Sequence, residues 1–257
     1  MKLGTCRLCM QTAPLLNKSH IIPDFFYDQA GLYNEKHKIH KFKIQNNKID
    51  KKASFIPTGV NEGGLLCKEC DNILIGGLEL YGRKVLFGGL KEYEEIKGTN
   101  YKNPKDGFEY SIIENVDYRK FKLFLLSILW RSKISNNPVF KEVSFSIEYT
   151  EYLRTMIIEG NPGKYNDFPI ITMSYLKDQT IPPDLIGQPI KSETSERILI
   201  TYLLAGFIFI FVICPNYQEF DRINNITPTE NNKFGIMHIP QGQAWKFIMR
   251  YTNMIAI

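Results

Sequence analysis

A chain of 257 residues, 44% of them hydrophobic and 23% charged, is long enough to bury a full hydrophobic core and too apolar for large-scale disorder. Its formal net charge of +5 allows a polyanionic partner without requiring one, because many basic proteins bind no nucleic acid. The first residues contain no apolar segment, so the sequence predicts no secretory signal and a reducing, cytoplasmic compartment for its five cysteines.

The first predicted element is a tight turn, or knuckle, formed by Cys6-Arg7-Leu8-Cys9. A polar turn leads to Ser19-His20-Ile21-Ile22-Pro23, in which the two isoleucines predict a short strand. Proline cannot donate a hydrogen bond to a strand ladder, so this strand is expected to stop or bend at Pro23.

A basic segment follows at residues 36–52, where seven lysines accompany a single acid, Asp50. Loose alternation of apolar and polar residues from Lys38 to Ile44 predicts an exposed strand or one arm of a hairpin. Such a segment is usually a solvated face. Beside a nucleic-acid site it would instead supply phosphate contacts, which come chiefly from Lys and Arg.

The second knuckle, Cys67-x2-Cys70, is expected to end a short strand over residues 65–67. From Asp71 to Phe87 the pattern is helical, although Gly76-Gly77 weakens it. Residues 97–109 are rich in Gly, Pro and Lys and are predicted to be a linker. This divides the chain into a first domain over 1–96 and a second over 110–257.

A strong helix is predicted after Asp117, its expected N-cap, because apolar residues recur from Phe121 at helical spacing. Near its end, Trp130 is expected in the core and Arg131 at the surface. A second short helix is predicted over Glu151–Glu159, and strands separated by Pro and Asn turns over residues 168–250.

The uncharged run Ile198–Cys214 has 17 residues, the lower limit for a membrane span. Its Ile, Phe and Val content, with Ala205-Gly206 at the middle, favours two buried strands joined by a tight turn. A transmembrane helix is the alternative, and no membrane association is expected.

The two Cys-x2-Cys pairs are the most specific feature of the chain. Two thiolate pairs on tight turns can supply the four ligands of one tetrahedral zinc ion. The predicted ligands are Cys6, Cys9, Cys67 and Cys70. With four sulfurs bound, the ion would have no open position and would be structural. Disulfides, a redox pair or free thiols are the alternatives.

This chain resembles the zinc-finger HNH endonucleases, and a bacterial subgroup of them in particular. The resemblance lies in the order of its motifs: the first knuckle, then Ser19-His20-Ile21-Ile22-Pro23, then the second knuckle followed directly by Asp71-Asn72. The resemblance covers residues 6 to 87. It implies an N-terminal ββα-metal module, followed here by a helix and a strand-rich C-terminal region, which gives an α+β fold. It further implies that His20 is the general base and that Asp71 binds a catalytic Mg²⁺ or Mn²⁺ ion.

One position departs from the family pattern. Many members carry an acidic metal ligand just before the histidine, and this chain has Ser19, whose neutral hydroxyl is a poorer ligand. Glu79, two helical turns after Asp71, and Asn72 are candidates to compensate. The alternative is a nuclease centre that has decayed.

The resemblance implies a cytoplasmic, metal-dependent endonuclease acting on nucleic acid, with DNA the expected substrate and antiviral defence a possible role. The C-terminal region would direct targeting or assembly, through a homo-oligomer or a partner protein. Non-catalytic nucleic-acid binding and a protein-interaction subunit are the alternative functions. The predicted phosphate contacts are Lys36, Lys38, Lys41 and Lys43.

Overall fold

The computed structural model describes residues 2–29, 39–41, 44–45, 48–49, 54–56, 59–88, 96–181, 183, 185–213 and 227–247. Between residues 29 and 56 it describes the backbone only. The fold is mixed α+β.

The N-terminal part consists of short strand pairs followed by one long helical segment. Its elements are β1 (Lys2–Thr5), β2 (Thr12–Leu15), β3 (Ser19–His20), α1 (Asp24–Gln29), β4 (Ile39–Lys41), β5 (Ile44–Gln45), β6 (Lys48–Ile49), β7 (Ser54–Ile56), β8 (Asn61–Glu62), a π-helix (Glu69–Ile75) and α2 (Gly76–Phe87). The strands pair antiparallel as β1–β2, β3–β8, β4–β7 and β5–β6.

The strand predicted around Ile21 lies earlier in the chain, because β3 ends at His20. Ile21 adds one further hydrogen bond, from its N–H to the Val60 carbonyl. The expected strand at residues 65–67 is reduced to a single bridge between Leu15 and Cys67. The predicted helix is present, but its first part is a π-helix that changes to α-helix at Gly76.

The remaining elements build one large sheet and two helices. They are β9 (Lys97–Lys102), β10 (Glu109–Glu114), α3 (Tyr118–Ile134), a 3₁₀ turn (Pro138–Phe140), α4 (Ile147–Glu159), β11 (Ile170–Ser174), β12 (Ile190–Glu193), β13 (Ile198–Leu204), β14 (Phe207–Ile213) and β15 (Lys233–His238). The expected strand-rich C-terminal region is confirmed.

The seven strands of this sheet lie in the order β12-β13-β14-β11-β15-β10-β9. All neighbours are antiparallel except β11 and β15. The predicted linker was wrong, because residues 97–102 form edge strand β9, paired with β10 in register from Lys97↔Glu114 to Lys102↔Glu109. Every residue of β9 is exposed, so the strand has the polar composition of a linker.

The apolar run after residue 197 forms the predicted buried hairpin of β13 and β14. Its turn lies at Ala205 and Gly206, which have φ angles of 47° and 89°. Glycine adopts such an angle without steric cost. Among the residues with described structure, no helix has both the length and the apolar character needed to cross a membrane.

Helix α3 is the centre of the fold. It begins at the predicted N-cap, since the Asp117 side chain accepts a hydrogen bond from the Lys120 N–H. All its residues from Phe121 to Ser132 are buried, because α2, α4 and the sheet surround it. Trp130 lies in the core as predicted, but Arg131 is buried as well, which corrects the expected surface position.

The close crossing of α2 and α3 depends on Gly82. A Cβ atom built on Gly82 would lie 2.4 Å from the Phe124 ring. Gly82→Ala is therefore expected to lower the free energy of unfolding by about 1–3 kcal/mol through overpacking. Gly77→Ala, in the same helix with no atom near the added methyl, should instead stabilise by up to about 1 kcal/mol. Urea denaturation compares the two, and equal effects would contradict this packing.

Lys122 is a buried cation that predicts a pH-dependent stability. Its side chain is 0% exposed, and its ammonium donates to the Tyr118 hydroxyl and the Lys164 carbonyl. Burial lowers the pKa of Lys122 to about 7, although Asp167 and Glu230 act in the opposite direction.

Between pH 7 and the unfolded pKa near 10.5, the unfolded chain holds a proton that the folded chain lacks. Stability should therefore rise with pH in this window, by about 2 kcal/mol from pH 7 to pH 9. Lys122→Met should remove this rise, whereas Lys120→Met on the exposed side of α3 should retain it. Chemical denaturation across pH measures it, and an identical rise in Lys122→Met would contradict the assignment.

Candidate metal centre and adjoining polar site

The four cysteines of the two knuckles form one cluster. Their sulfur atoms all lie within 4.8 Å of one another. Sulfurs bound to one tetrahedral zinc ion at about 2.3 Å would be roughly 3.8 Å apart, so the cluster can hold such an ion. In the residues that the structure describes, no other group of three or more His, Cys, Asp or Glu side chains brings its ligand atoms this close.

Local structure explains why the knuckles meet. Cys6 follows β1, and the turn closes by a bond from the Met10 N–H to the Cys6 carbonyl, with Met10 at a φ of 61°. The bridge of Leu15 with Cys67 brings the second knuckle alongside, and the Cys67 N–H points at the Cys6 sulfur at 3.4 Å. Cys70 lies in the first turn of the π-helix.

The thiols of this cluster have unequal acidity. Burial raises the pKa of Cys6, but backbone N–H groups of Cys67, Cys9 and Leu8 outweigh it and lower that pKa to about 7. Burial and the neighbouring cysteines raise the pKa of Cys70 well above its ordinary value. Four crowded thiolates therefore need a compensating positive charge, which a bound metal cation supplies.

A polar site adjoins the cysteine cluster at Asp71, which directly follows Cys70 in the π-helix. Burial raises the pKa of Asp71, and nearby groups modify that pKa further: the Arg131 guanidinium, the Ser19 hydroxyl and His20 lower it, while Glu79 raises it. Asp71 thus lies within electrostatic range of His20 and Glu79, although Asp71 and His20 are distant in sequence.

His20 is accessible at this site. Its side chain is 35% exposed, and its Nε2 lies 3.6 Å from Oδ1 of Asp24, the first residue of α1. The backbone of His20 pairs with Asn61 of β8. Sequence reasoning missed Asp24, although its position four residues after the histidine was a usable signal.

Ser19, beside His20, is 1% exposed. Its buried hydroxyl lowers the pKa of Asp71, although its oxygen makes no hydrogen bond of ordinary geometry among the described residues.

Sequence reasoning also missed Arg131, which enters the site from α3. Its Nη1 lies 2.7 Å from Glu79 Oε1 and donates to the His20 carbonyl at 2.6 Å. Glu79, 22% exposed, is therefore the partner of a buried guanidinium as well as a neighbour of Asp71.

The helix that carries Asp71 is wider than an α-helix. The Gly76 N–H bonds to the Asp71 carbonyl five residues back, as in a π-helix. Gly76 thus marks the predicted irregularity. Asn72, the other proposed oxygen ligand, is exposed.

The predicted phosphate-contacting lysines remain untested. Lys36, Lys38 and Lys43 lie outside the described residues, and Lys41 is described only as backbone in β4. No family model matches this chain, and comparisons with curated proteins and with solved structures find no significant match. The resemblance to the HNH endonucleases therefore stays a prediction.

Proposed function

We propose that this protein is a metal-dependent endonuclease that hydrolyses phosphodiester bonds, with DNA as the expected substrate. The observation that supports the proposal is that Asp71, next to the four-cysteine cluster, lies within electrostatic range of His20. An imidazole and a carboxylate at one accessible site are the groups that metal-assisted phosphodiester hydrolysis requires.

The cysteine cluster would bind structural zinc. All four positions of a tetrahedral ion are filled by Cys6, Cys9, Cys67 and Cys70, so none is left for a substrate or water. Its role would be to hold the start of the π-helix, with Asp71, next to β3, with His20.

The donor set beside His20 suits a hard divalent ion such as Mg²⁺ or Mn²⁺. Asp71 would be the charged ligand, with the Ser19 hydroxyl and Glu79 as weaker oxygen donors. Magnesium sites often use one or two carboxylates and complete their shell with water and substrate phosphate. When bound, such an ion stabilises the negative charge that develops on the leaving oxygen.

His20 would take the proton from the attacking water. Neutral imidazole does this near pH 7, and the partial exposure of the ring allows water to reach it. The Asp24 carboxylate, 3.6 Å from Nε2, would orient the imidazole ring for this role.

The basic segment at residues 36–52 would hold the nucleic-acid backbone, and the C-terminal region would direct targeting or assembly. A cytoplasmic role in antiviral defence belongs to the same proposal and rests on the resemblance alone.

Cleavage of supercoiled plasmid tests the proposal. Wild type should nick the plasmid with Mg²⁺ or Mn²⁺ and not in EDTA, and His20→Ala should reduce the rate by roughly 10²–10⁴-fold. His238→Gln, which alters a partly buried histidine bonded to Ser111, should stay within a few fold of wild type. Cleavage by His20→Ala at the wild-type rate would remove the assigned base.

A non-catalytic nucleic-acid-binding protein is the second candidate. It is favoured by Ser19 at the family's acidic position and by the pairing of Glu79 with Arg131. This reading predicts DNA binding that weakens steeply with salt, because lysine contacts displace counterions, with no cleavage under any metal. A salt series of binding measurements in EDTA, alongside the cleavage assay, separates the two functions.

A further inference from the structure

The C-terminal end of α3 contacts both strands of the short pair β3–β8, of which β3 carries His20. Arg131 reaches the carbonyl of His20 in β3. One turn later, the Ser135 hydroxyl and two nitrogens of Asn136 donate to the carboxylate of Glu62 in β8, at 2.5, 2.9 and 3.0 Å.

These contacts matter because β3 and β8 are too short to form a stable pair without other contacts. Each has two residues, paired as Ser19↔Glu62 and His20↔Asn61. Isolated strand pairs of this length are not stable in water. The orientation of the His20 ring therefore depends on what fixes its backbone.

Arg131 is built into the site from the protein interior. It is 2% exposed, and its other nitrogens bond within its own helix, to the carbonyl and hydroxyl of Ser127. A buried cation is costly unless it is paired, and Glu79 at 2.7 Å supplies the counter-charge. The guanidinium thus joins three elements: α3, the β3 carbonyl and α2.

We propose that Arg131 is a positioning residue that sets the placement of His20 relative to Asp71, and that Glu79 serves it as counterion. This deepens the proposed nuclease function and rests on it for its catalytic consequence. The positional consequence, a displaced His20 when Arg131 is lost, does not depend on any activity.

The test compares Arg131→Met and Arg131→Lys with Arg119→Met. Arg119 is on the same helix and also donates to a backbone carbonyl, that of Gly160, so it controls for loss of such a bond. In a ¹H–¹³C spectrum, the His20 ring signals, identified by their loss in His20→Gln, should shift in Arg131→Met and stay in place in Arg119→Met. Unmoved His20 signals would overturn the proposal whether or not the protein cleaves DNA.

Kinetics give the second readout. Arg131→Met should lower kcat by roughly 10²-fold, the effect of misplacing a catalytic group by about 1 Å, with KM within a few fold of wild type. Arg131→Lys should recover part of the loss, and zinc content should remain as in wild type. Wild-type kcat in a folded Arg131→Met would also overturn the proposal.

The counterion role is tested by Glu79→Gln. Combined with Arg131→Met, it should cost less than the sum of the two single effects on stability, because each single variant leaves one charge unpaired. Additive effects would contradict the pairing. Shifted His20 signals together with an inactive wild type would reject the nuclease while leaving the positioning role in place.

Discussion

Cys70→Ser is expected to lose the bound metal and to unfold the N-terminal part of the chain. Serine replaces a thiolate ligand with a hydroxyl that zinc binds poorly, and structural zinc in small modules contributes about 10–16 kcal/mol of apparent folding free energy. The short strand pairs of this region form few hydrogen bonds of their own, so their stability depends on the knuckles and on contacts with the core. Wild type should contain one zinc ion per chain by atomic emission, and the variant close to none.

The matched control is Cys214→Ser, which changes the cysteine outside the two Cys-x2-Cys pairs and should keep one zinc ion. Hydrogen exchange should show lost protection in Cys70→Ser over residues 2–29 and 59–75, with the seven-stranded sheet still protected. Purified wild type that contains no zinc and keeps its stability in a strong chelator would refute the zinc assignment.

The proximity of the two knuckles could be predicted from sequence because each Cys-x2-Cys spacing is a local pattern typical of a metal ligand pair. Two Cys-x2-Cys turns need no knowledge of the intervening chain to suggest one tetrahedral ion. The buried hairpin of β13 and β14 was predictable for a similar reason, since an uncharged run rich in Ile, Phe and Val with Ala205-Gly206 at its middle is typical of two buried strands joined by a tight turn.

Tertiary contacts explain the failures. Arg131 was expected at the surface because arginine is rarely buried, and its buried position is explained by the distant partners His20, through its carbonyl, and Glu79. Neither partner is near it in sequence. The edge strand β9 was missed for a different reason. An exposed edge strand has no buried face and hence no alternation of apolar and polar residues to detect.

The polar site lies between these cases. Motif order predicted that His20 and Asp71 would meet, and the electrostatic influence of His20 on Asp71 is consistent with their proximity. Ser19 and Glu79 were also candidates from the sequence, and the group that the motif could not supply is the Arg131 guanidinium from α3.

Asp71→Ala is expected to abolish cleavage and to weaken binding of the catalytic ion, because Asp71 is the charged ligand assigned to that ion, whereas the Glu79 carboxylate is paired with Arg131. Without it, the remaining donors would be a neutral hydroxyl and Glu79, which Arg131 already holds at 2.7 Å. Hard divalent ions depend on carboxylate charge, so Mn²⁺ affinity measured by calorimetry should fall at least about tenfold. Zinc content should not change.

Glu69→Ala provides the control for this loss. Glu69 is an exposed acid in the same first turn of the π-helix, so its removal changes the net charge and the helix end equally. It should cleave plasmid and bind Mn²⁺ as wild type does. Asp71→Asn should lie between the two, since an amide keeps one oxygen donor and loses the charge. Mn²⁺ binding that is as tight in Asp71→Ala as in Glu69→Ala would place the catalytic ion elsewhere, and the base assigned to His20 would then lack its metal partner.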